Sequence, residues 1–207
     1  MDKKTILLKT GEKLFSQYGY RNVNIEEIAS HAGLATGSFY TYFNSKEEFY
    51  SQVLDRIEEE GINHIDRLIS SFHSPINKLK AVYRFATLGL RKNIILKGIL
   101  TGDKKFVYPG LNERKENGSK LINHISLLLE RIIREGTEKR VFRAGIFKNP
   151  RRMLFTIYNA IISEFDNGDV EELMDDTLLL IERGMRRMIR LRKRDERLDR
   201  RKNKTGL

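Results

Sequence analysis

The stretch from Asn24 to Lys46 admits few folds, because it sets two short helical patterns on either side of a glycine turn. Asn24, with Glu27 three residues on, makes a capping-box-like start in which the Asn oxygen takes a free backbone N–H of the first turn. Ile25, Ile28 and Ala29 form one apolar stripe at helical spacing. Gly33, within Ala32-Gly33-Leu34, permits the sharp turn that a helix C-terminus needs. A second short helix is expected from Thr36 to Phe43. Phe39 and Phe43 point to one of its faces, which leaves Thr36, Gly37, Ser38, Tyr40, Thr41 and Tyr42 around the remainder, all small or able to hydrogen bond. A helix entering a DNA major groove requires such a surface.

The flanking sequence reads as further helix. Lys3 to Tyr18 places Leu7, Gly11, Leu14, Phe15 and Tyr18 on one stripe, and Gly19 stops it. Ser45, with Glu48 at the third position, starts a helix running to about Phe72, near 40 Å at about 1.5 Å per residue and long enough to enter a second domain. Gly61 within it is either a kink or a tolerated glycine. Ser74-Pro75 opens the next helix, with Ile76, Leu79, Val82, Tyr83, Phe85, Ala86 and Leu90 broadly apolar, and Ile94 to Leu100 adds a turn or two. Thr101 to Asn112 reads as a loop with Phe106, Val107, Tyr108 and Leu111 tucked inward. A long helix follows from Ser119 to Lys139, then a connector at Gly145 to Lys148. Asn149-Pro150 is a strong start signal for a helix carrying Met153 to Phe165, and Asp169 with Glu172 caps a last helix expected to run to about Arg194.

At the head of the chain the order of small motifs becomes specific. Gly19-Tyr20, the cap at Asn24, Ile28-Ala29, Ala32-Gly33-Leu34, Gly37-Ser38-Phe39-Tyr40-Thr41-Tyr42-Phe43 and Ser45-Lys46-Glu47-Glu48-Phe49 together resemble the amino-terminal domain of the TetR family of bacterial transcriptional regulators. The chain departs from the family's usual pairs at Thr10-Gly11, Val23-Asn24 and Ala35-Thr36. The resemblance implies an all-α protein of about nine helices. Residues 1–50 would form a three-helix helix-turn-helix DNA-binding domain, with the helix-turn-helix at about 24–43, and residues 51–194 a helical effector-binding and dimerisation domain. Position by position, it implies that Thr36, Gly37, Tyr40 and Thr41 approach base edges, while Ser38, Tyr42 and Lys46 hold phosphates. The chemistry of the residues agrees with those roles. A cation at Lys46 sits in the first turn of a helix, where exposed N–H groups also attract phosphate. Gly37 lets backbone approach the groove, and Tyr40 can bond a base or touch a thymine methyl. Asn24 can offer its amide to another phosphate.

Charge qualifies this reading. The net charge is +11, yet residues 1–50 hold six Lys/Arg against six Asp/Glu, residues 51–182 hold 21 against 19, and residues 183–207 hold 12 against 3. The head must therefore use placed lysines and neutral donors instead of a broad positive field. Residues 195–207 are expected to be a disordered basic tail. The absence of cysteine excludes disulfides, thiol catalysis and zinc fingers, and His31, His64, His73 and His124 lack metal-ligand spacing. No cofactor, no metal and no enzymatic activity are expected, since no nucleophile–base pair or paired carboxylates stand out. Neither a leader nor a run of 18 apolar residues appears, so a cytoplasmic protein without stable membrane association is expected.

The two helices after Asn149 are more apolar than one core face needs, which points to a twofold homodimer through Ile157, Ile161, Phe165, Leu173, Leu180, Met185 and Met188. Phe85, Phe106, Tyr108, His124 and Tyr158 are candidate walls for the small-molecule effector that the resemblance implies. The expected function is a DNA-binding transcriptional regulator, a repressor released from an operator of two half-sites by its ligand. The alternatives are such a regulator without an effector, or a basic helical protein binding RNA or anionic membrane through its tail.

Overall fold

The computed structural model describes residues 2–111, 119–142, 149, 152, 156 and 172–183, and among these residues regular structure is exclusively helical. The elements are α1 (Lys3–Tyr18), α2 (Ile25–His31), α3 (Thr36–Tyr40), α4 (Lys46–Ser70), α5 (Pro75–Lys92), α6 (Ile94–Thr101), α7 (Lys120–Glu138) and α8 (residues 172–183). Local chemistry sets most of their starts. Asp2 caps α1 by accepting from the N–H of Thr5 at 2.8 Å, and Asn24 caps α2 by accepting from that of Glu27 at 2.7 Å. Ser45 accepts from the N–H of Glu48 at 3.1 Å, Asn93 from that of Leu96 at 3.0 Å and Ser119 from that of Ile122 at 3.2 Å, while Asn149, outside these eight elements, accepts from that of Arg152 at 3.0 Å. α4 runs unbroken through Gly61.

Two elements are shorter than their sequence patterns. α3 stops at Tyr40 instead of Phe43: Ala35 supplies no side-chain cap, and the backbone N–H groups of both Tyr42 and Phe43 turn back to the Phe39 carbonyl. α4 stops at Ser70, where the Ser70 and Ser71 hydroxyls donate to the carbonyls of Arg67 and Leu68 and compete with continued helix. Tyr18, placed by spacing on the buried stripe of α1, is 43% exposed beside the turn at Gly19.

The described chain divides into two compact units. The first comprises Met1–Ile65 and Leu88–His124. It therefore extends past the boundary at residue 50 drawn from sequence. Its core joins Leu7, Leu14 and Phe15 of α1, Ile28, Phe39 and Phe43, and Phe49, Tyr50, Val53, Leu54 and Ile57 of α4 with Ile95, Phe106, Tyr108 and Leu111. Main-chain bonds fix the segment after α6 to the head: the Tyr20 N–H donates to the Lys105 carbonyl at 2.9 Å, and the Tyr50 hydroxyl to the Phe106 carbonyl at 3.3 Å. The start of α7 is held in the same unit, since the N–H of Lys120 donates at 3.0 Å to the buried Glu58 carboxylate.

The second unit comprises Asp66–Thr87 and the described residues from Ile125 onward. Leu79 and Val82 of α5, Leu128, Leu129 and Ile132 of α7, and Met174 and Leu178 of α8 are buried there. Ion pairs join the elements: Lys78 with Glu135 at 2.7 Å, Arg84 with Asp175 at 2.7 Å, and Lys80 with Glu182.

A methyl group added at Gly11 would lie 2.4 Å from Cε1 and Cζ of Phe49, a ring that is itself fully buried against Phe15, Phe39 and Phe43. Helix propensity alone favours alanine there by about 1 kcal/mol. Overpacking reverses the sign, so Gly11→Ala should destabilise by about 1–3 kcal/mol in the wild type and by less in a Phe49→Leu background. Urea midpoints of both single variants and the double variant check this.

Glu135 accepts from Lys139 at 2.6 Å and Lys78 at 2.7 Å, and these bonds, that to Lys139 first, hold its carboxyl below the ordinary 4.5. A depressed folded-state value gives stability that is present above the ordinary range and lost as pH falls through the folded value. Thermal midpoints of the wild type should therefore fall more steeply below pH about 4.5 than those of Glu135→Gln, and parallel curves would contradict the assignment.

Candidate nucleic-acid interface

The reading segment is α2, a turn and α3. Gly33 adopts φ +68°, a left-handed conformation that glycine takes without strain, and the Leu34 N–H returns to the Ala29 carbonyl at 2.9 Å. Under α3 the rings of Phe39 and Phe43, both buried, lie 5.2 Å apart and pack on Phe49 at 5.0 and 4.7 Å. That packing fixes which side of α3 faces outward. Gly37, Tyr40, Thr41 and Tyr42 are exposed, Tyr40 by 54%, while Thr36 and Ser38 are half-buried at its margins. The Thr41 hydroxyl donates to the Gly37 carbonyl at 3.3 Å, and the Tyr40 ring meets Phe39 edge-on at 5.5 Å. A Cβ at Gly37 would meet nothing within 4 Å.

Six of the eight residues proposed from sequence for DNA thus lie on α3 or the turn that follows it. The other two sit at the starts of adjoining helices. Asn24 is exposed and uses its side-chain oxygen in the α2 cap, so its amide nitrogen is the group suited to a phosphate. Lys46 opens α4 and is half-buried, its ammonium 4.5 Å from the centre of the Tyr20 ring. Burial lowers the proton affinity of that ammonium, and the adjacent Glu47 opposes the shift. The first turn of α4 also carries Glu47 and Glu48, whose charges compete with an incoming phosphate for the helix N-terminus. The ammonium of Lys46, more than the helix end, is the attractive group there.

Sequence reasoning passed over three residues around this surface. Tyr20 is 6% exposed; its hydroxyl donates to Glu47 Oε1 at 2.6 Å and holds that carboxyl below the usual range. Burial first, then Glu47, pushes the Tyr20 phenol up. Lys4 of α1 places its ammonium 5.6 Å from the Phe43 ring centre. These partners are distant in sequence, so no local spacing announces them.

The residues suggested for an effector pocket fall in different places. Phe106 and Tyr108 are buried in the core of the first unit, where Tyr108 packs on Tyr20 and Tyr50 at 5.8 and 5.1 Å. His124 is a half-buried residue of α7 in that unit, Phe85 is half-buried in the second unit, and Tyr158 lies outside the described residues. Of the dimer residues, Leu173 and Leu180 are 42% and 74% exposed on α8. Ile157, Ile161, Phe165, Met185, Met188 and the basic tail lie outside the described residues. Among the described residues no group of three His, Asp or Glu could hold a metal ion, and no helix is long and apolar enough to cross a membrane.

Comparison with known proteins gives the head a family. Residues 7–53 match the model of the bacterial regulatory proteins of the tetR family. The chain is 30% identical over 94 residues to the uncharacterized HTH-type transcriptional regulator YuxN of Bacillus subtilis (strain 168), covering 45% of this chain and 31% of that protein. It is 33% identical over 89 residues to the HTH-type transcriptional repressor NemR of Escherichia coli (strain K12), covering 37% of this chain and 45% of that one. The chain thus spans less than half the length of these curated relatives. In fold it is similar to the transcriptional regulator FadR from Bacillus subtilis in complex with stearoyl-CoA, with a TM-score of 0.67 and 18% identity over 87% of this chain and 98% of that one. The motif order, the packed helix-turn-helix and the match converge on one segment: residues 7–53 match the amino-terminal domain of the bacterial regulatory proteins of the tetR family.

Proposed function

We propose that the chain is a DNA-binding transcriptional regulator, a repressor that binds an operator of two half-sites as a homodimer and leaves it when a small molecule binds. The observation that carries the DNA reading is the outward face of α3, where Gly37, Tyr40 and Thr41 stand exposed over a closed aromatic core. Buried Phe39 and Phe43 present this face as a fixed surface, and its groups are neutral, so it is suited to base edges more than to phosphates. Lys46, Asn24, Ser38 and Tyr42 surround it as the phosphate contacts. Similarity in fold to a regulator crystallised with stearoyl-CoA supports an effector domain in this chain. A ligand would act by changing the separation of the two heads, and linkage requires operator DNA to weaken its binding by the same factor.

The dimer is proposed to form through the last two helices. Leu173 and Leu180, one heptad apart and exposed on α8, are joined in that proposal by Ile157, Ile161, Phe165, Met185 and Met188. Two heads then face half-sites about 34–36 Å, or a multiple, apart.

Footprinting on DNA flanking the coding region, followed by titrations at several salt concentrations, tests the DNA reading. Lys46→Ala should weaken binding to every sequence and lower the salt slope by about 0.9 per protomer. Tyr40→Ala should instead reduce discrimination between operator and random DNA by about 1–3 kcal/mol. Gly37→Ala should leave thermal stability intact and still weaken operator binding, because its methyl group meets nothing in the free chain. Identical losses on operator and random DNA for Tyr40→Ala and Lys46→Ala would refute the division of roles.

Leu180→Asp and Ile161→Asp should each yield monomers in sedimentation and lose tight operator binding. Unchanged sedimentation of both variants would remove the dimer proposal.

A further inference from the structure

We infer that Tyr20 is a positioning residue for DNA contact: its ring seats the Lys46 ammonium at the edge of the reading surface before any phosphate arrives, and the segment after α6 fixes the ring. This rests on the DNA reading proposed above and adds a residue to it.

Tyr20 stands where three sets of contacts meet. On one side Lys46 Nζ lies 4.5 Å from its ring centre. Its hydroxyl donates to Glu47 Oε1 at 2.6 Å, which commits the neighbouring carboxylate to the phenol and leaves the ring as the surface that seats the ammonium. Its other neighbours are Tyr50, Tyr108 and Phe15, with ring centres at 5.0, 5.8 and 6.2 Å. Its backbone is held by the N–H bond to the Lys105 carbonyl at 2.9 Å, and the Lys105 ammonium donates at 3.0 Å to the Gln17 carbonyl near the end of α1. The ring is thus held by contacts from α1, α4 and the segment 105–108.

A lysine side chain free in water samples many rotamers and loses that freedom when it grips a phosphate. A cation held over an aromatic face has lost much of it beforehand, while its N–H groups turned away from the ring can still donate. In a head with equal numbers of acids and bases, one pre-seated cation matters more than it would in a basic patch. Displacement of segment 105–108 would move Tyr20 and, with it, the cation.

The test uses the full chain and mixed-sequence duplex DNA, so no operator need be known, with Tyr20→Phe, Tyr20→Leu, Lys46→Ala and the double variant Tyr20→Leu/Lys46→Ala. Tyr20→Phe keeps the ring but releases Glu47, so it should lose less affinity than Tyr20→Leu and stay short of the tenfold that marks a large effect. Tyr20→Leu should weaken binding, and Lys46→Ala should then cause a smaller fold-loss in the Tyr20→Leu background than in the wild type. Equal fold-losses in the two backgrounds overturn the proposal. A second measurement needs no variant of Tyr20: in the NMR spectrum of the wild-type chain, the ε-methylene protons of Lys46 should lie upfield of those of exposed lysines, shielded by the ring. Their coincidence with the exposed lysines would also overturn it. A wild-type chain that binds no duplex at any salt concentration overturns the underlying DNA reading and this inference together, whereas binding with equal fold-losses removes the positioning role alone.

Discussion

Phe49 lies in ring contact with Phe15, Phe39 and Phe43 at centroid distances of 5.9, 5.0 and 4.7 Å, and all four rings are buried. α3 depends on this packing. Five residues without a side-chain cap cannot hold helical form in water, because nucleation is unfavourable and too few hydrogen bonds follow it. The helix exists because Phe39 and Phe43 anchor it to Phe49 of α4. The same anchoring leaves the groups between them outward, so the chemistry of the candidate interface follows from core packing.

From Phe15 the aromatic contacts continue to Tyr50 at 4.7 Å and from there to Tyr20 and Tyr108 at 5.0 and 5.1 Å. These rings carry hydroxyl groups. Tyr50 donates to the Phe106 carbonyl and Tyr20 to Glu47, so each phenol is buried as a body and satisfied at its tip. The core thereby changes from purely apolar beneath the reading helix to hydrogen-bonded where the segment after α6 docks. Hydrogen-bonded contacts are directional, so this end of the core adds a directional constraint to the ring packing that both ends share.

What was legible in the sequence was local. The caps at Asn24, Ser45 and Asn149 depend on an oxygen and an N–H three residues apart, and the structure forms each bond. The inward turn of Phe106, Tyr108 and Leu111 was legible as well, because a loop rich in apolar residues has few other places for them. The docking of that loop on Tyr20 was not legible, since Lys105 and Tyr20 are far apart in sequence and meet through main-chain atoms, which no residue type encodes. Nor was the capture of the α7 start by Glu58, whose partner Lys120 lies 62 residues away in sequence. The end of α3 was misplaced because spacing puts Phe43 on the helical face of Phe39. Phe43 does share that burial, but from a turn.

Electrostatics sets the last constraint on the reading surface. With acids and bases in equal number over residues 1–50, long-range attraction contributes little to DNA affinity, and contacts within hydrogen-bonding distance must supply it. Glu47 and Glu48 in the first turn of α4 sharpen this, since a phosphate approaching Lys46 meets two carboxylates nearby. Both are tied back, Glu47 to the Tyr20 hydroxyl and Glu48 to the backbone and side-chain nitrogens of Asn44 at 2.9 and 2.8 Å. A carboxylate accepting such bonds is held in place and its charge partly spread to its donors, which lessens the repulsion an anion meets. The bonds that build the start of α4 therefore also keep its acids from closing the phosphate site proposed at its lysine.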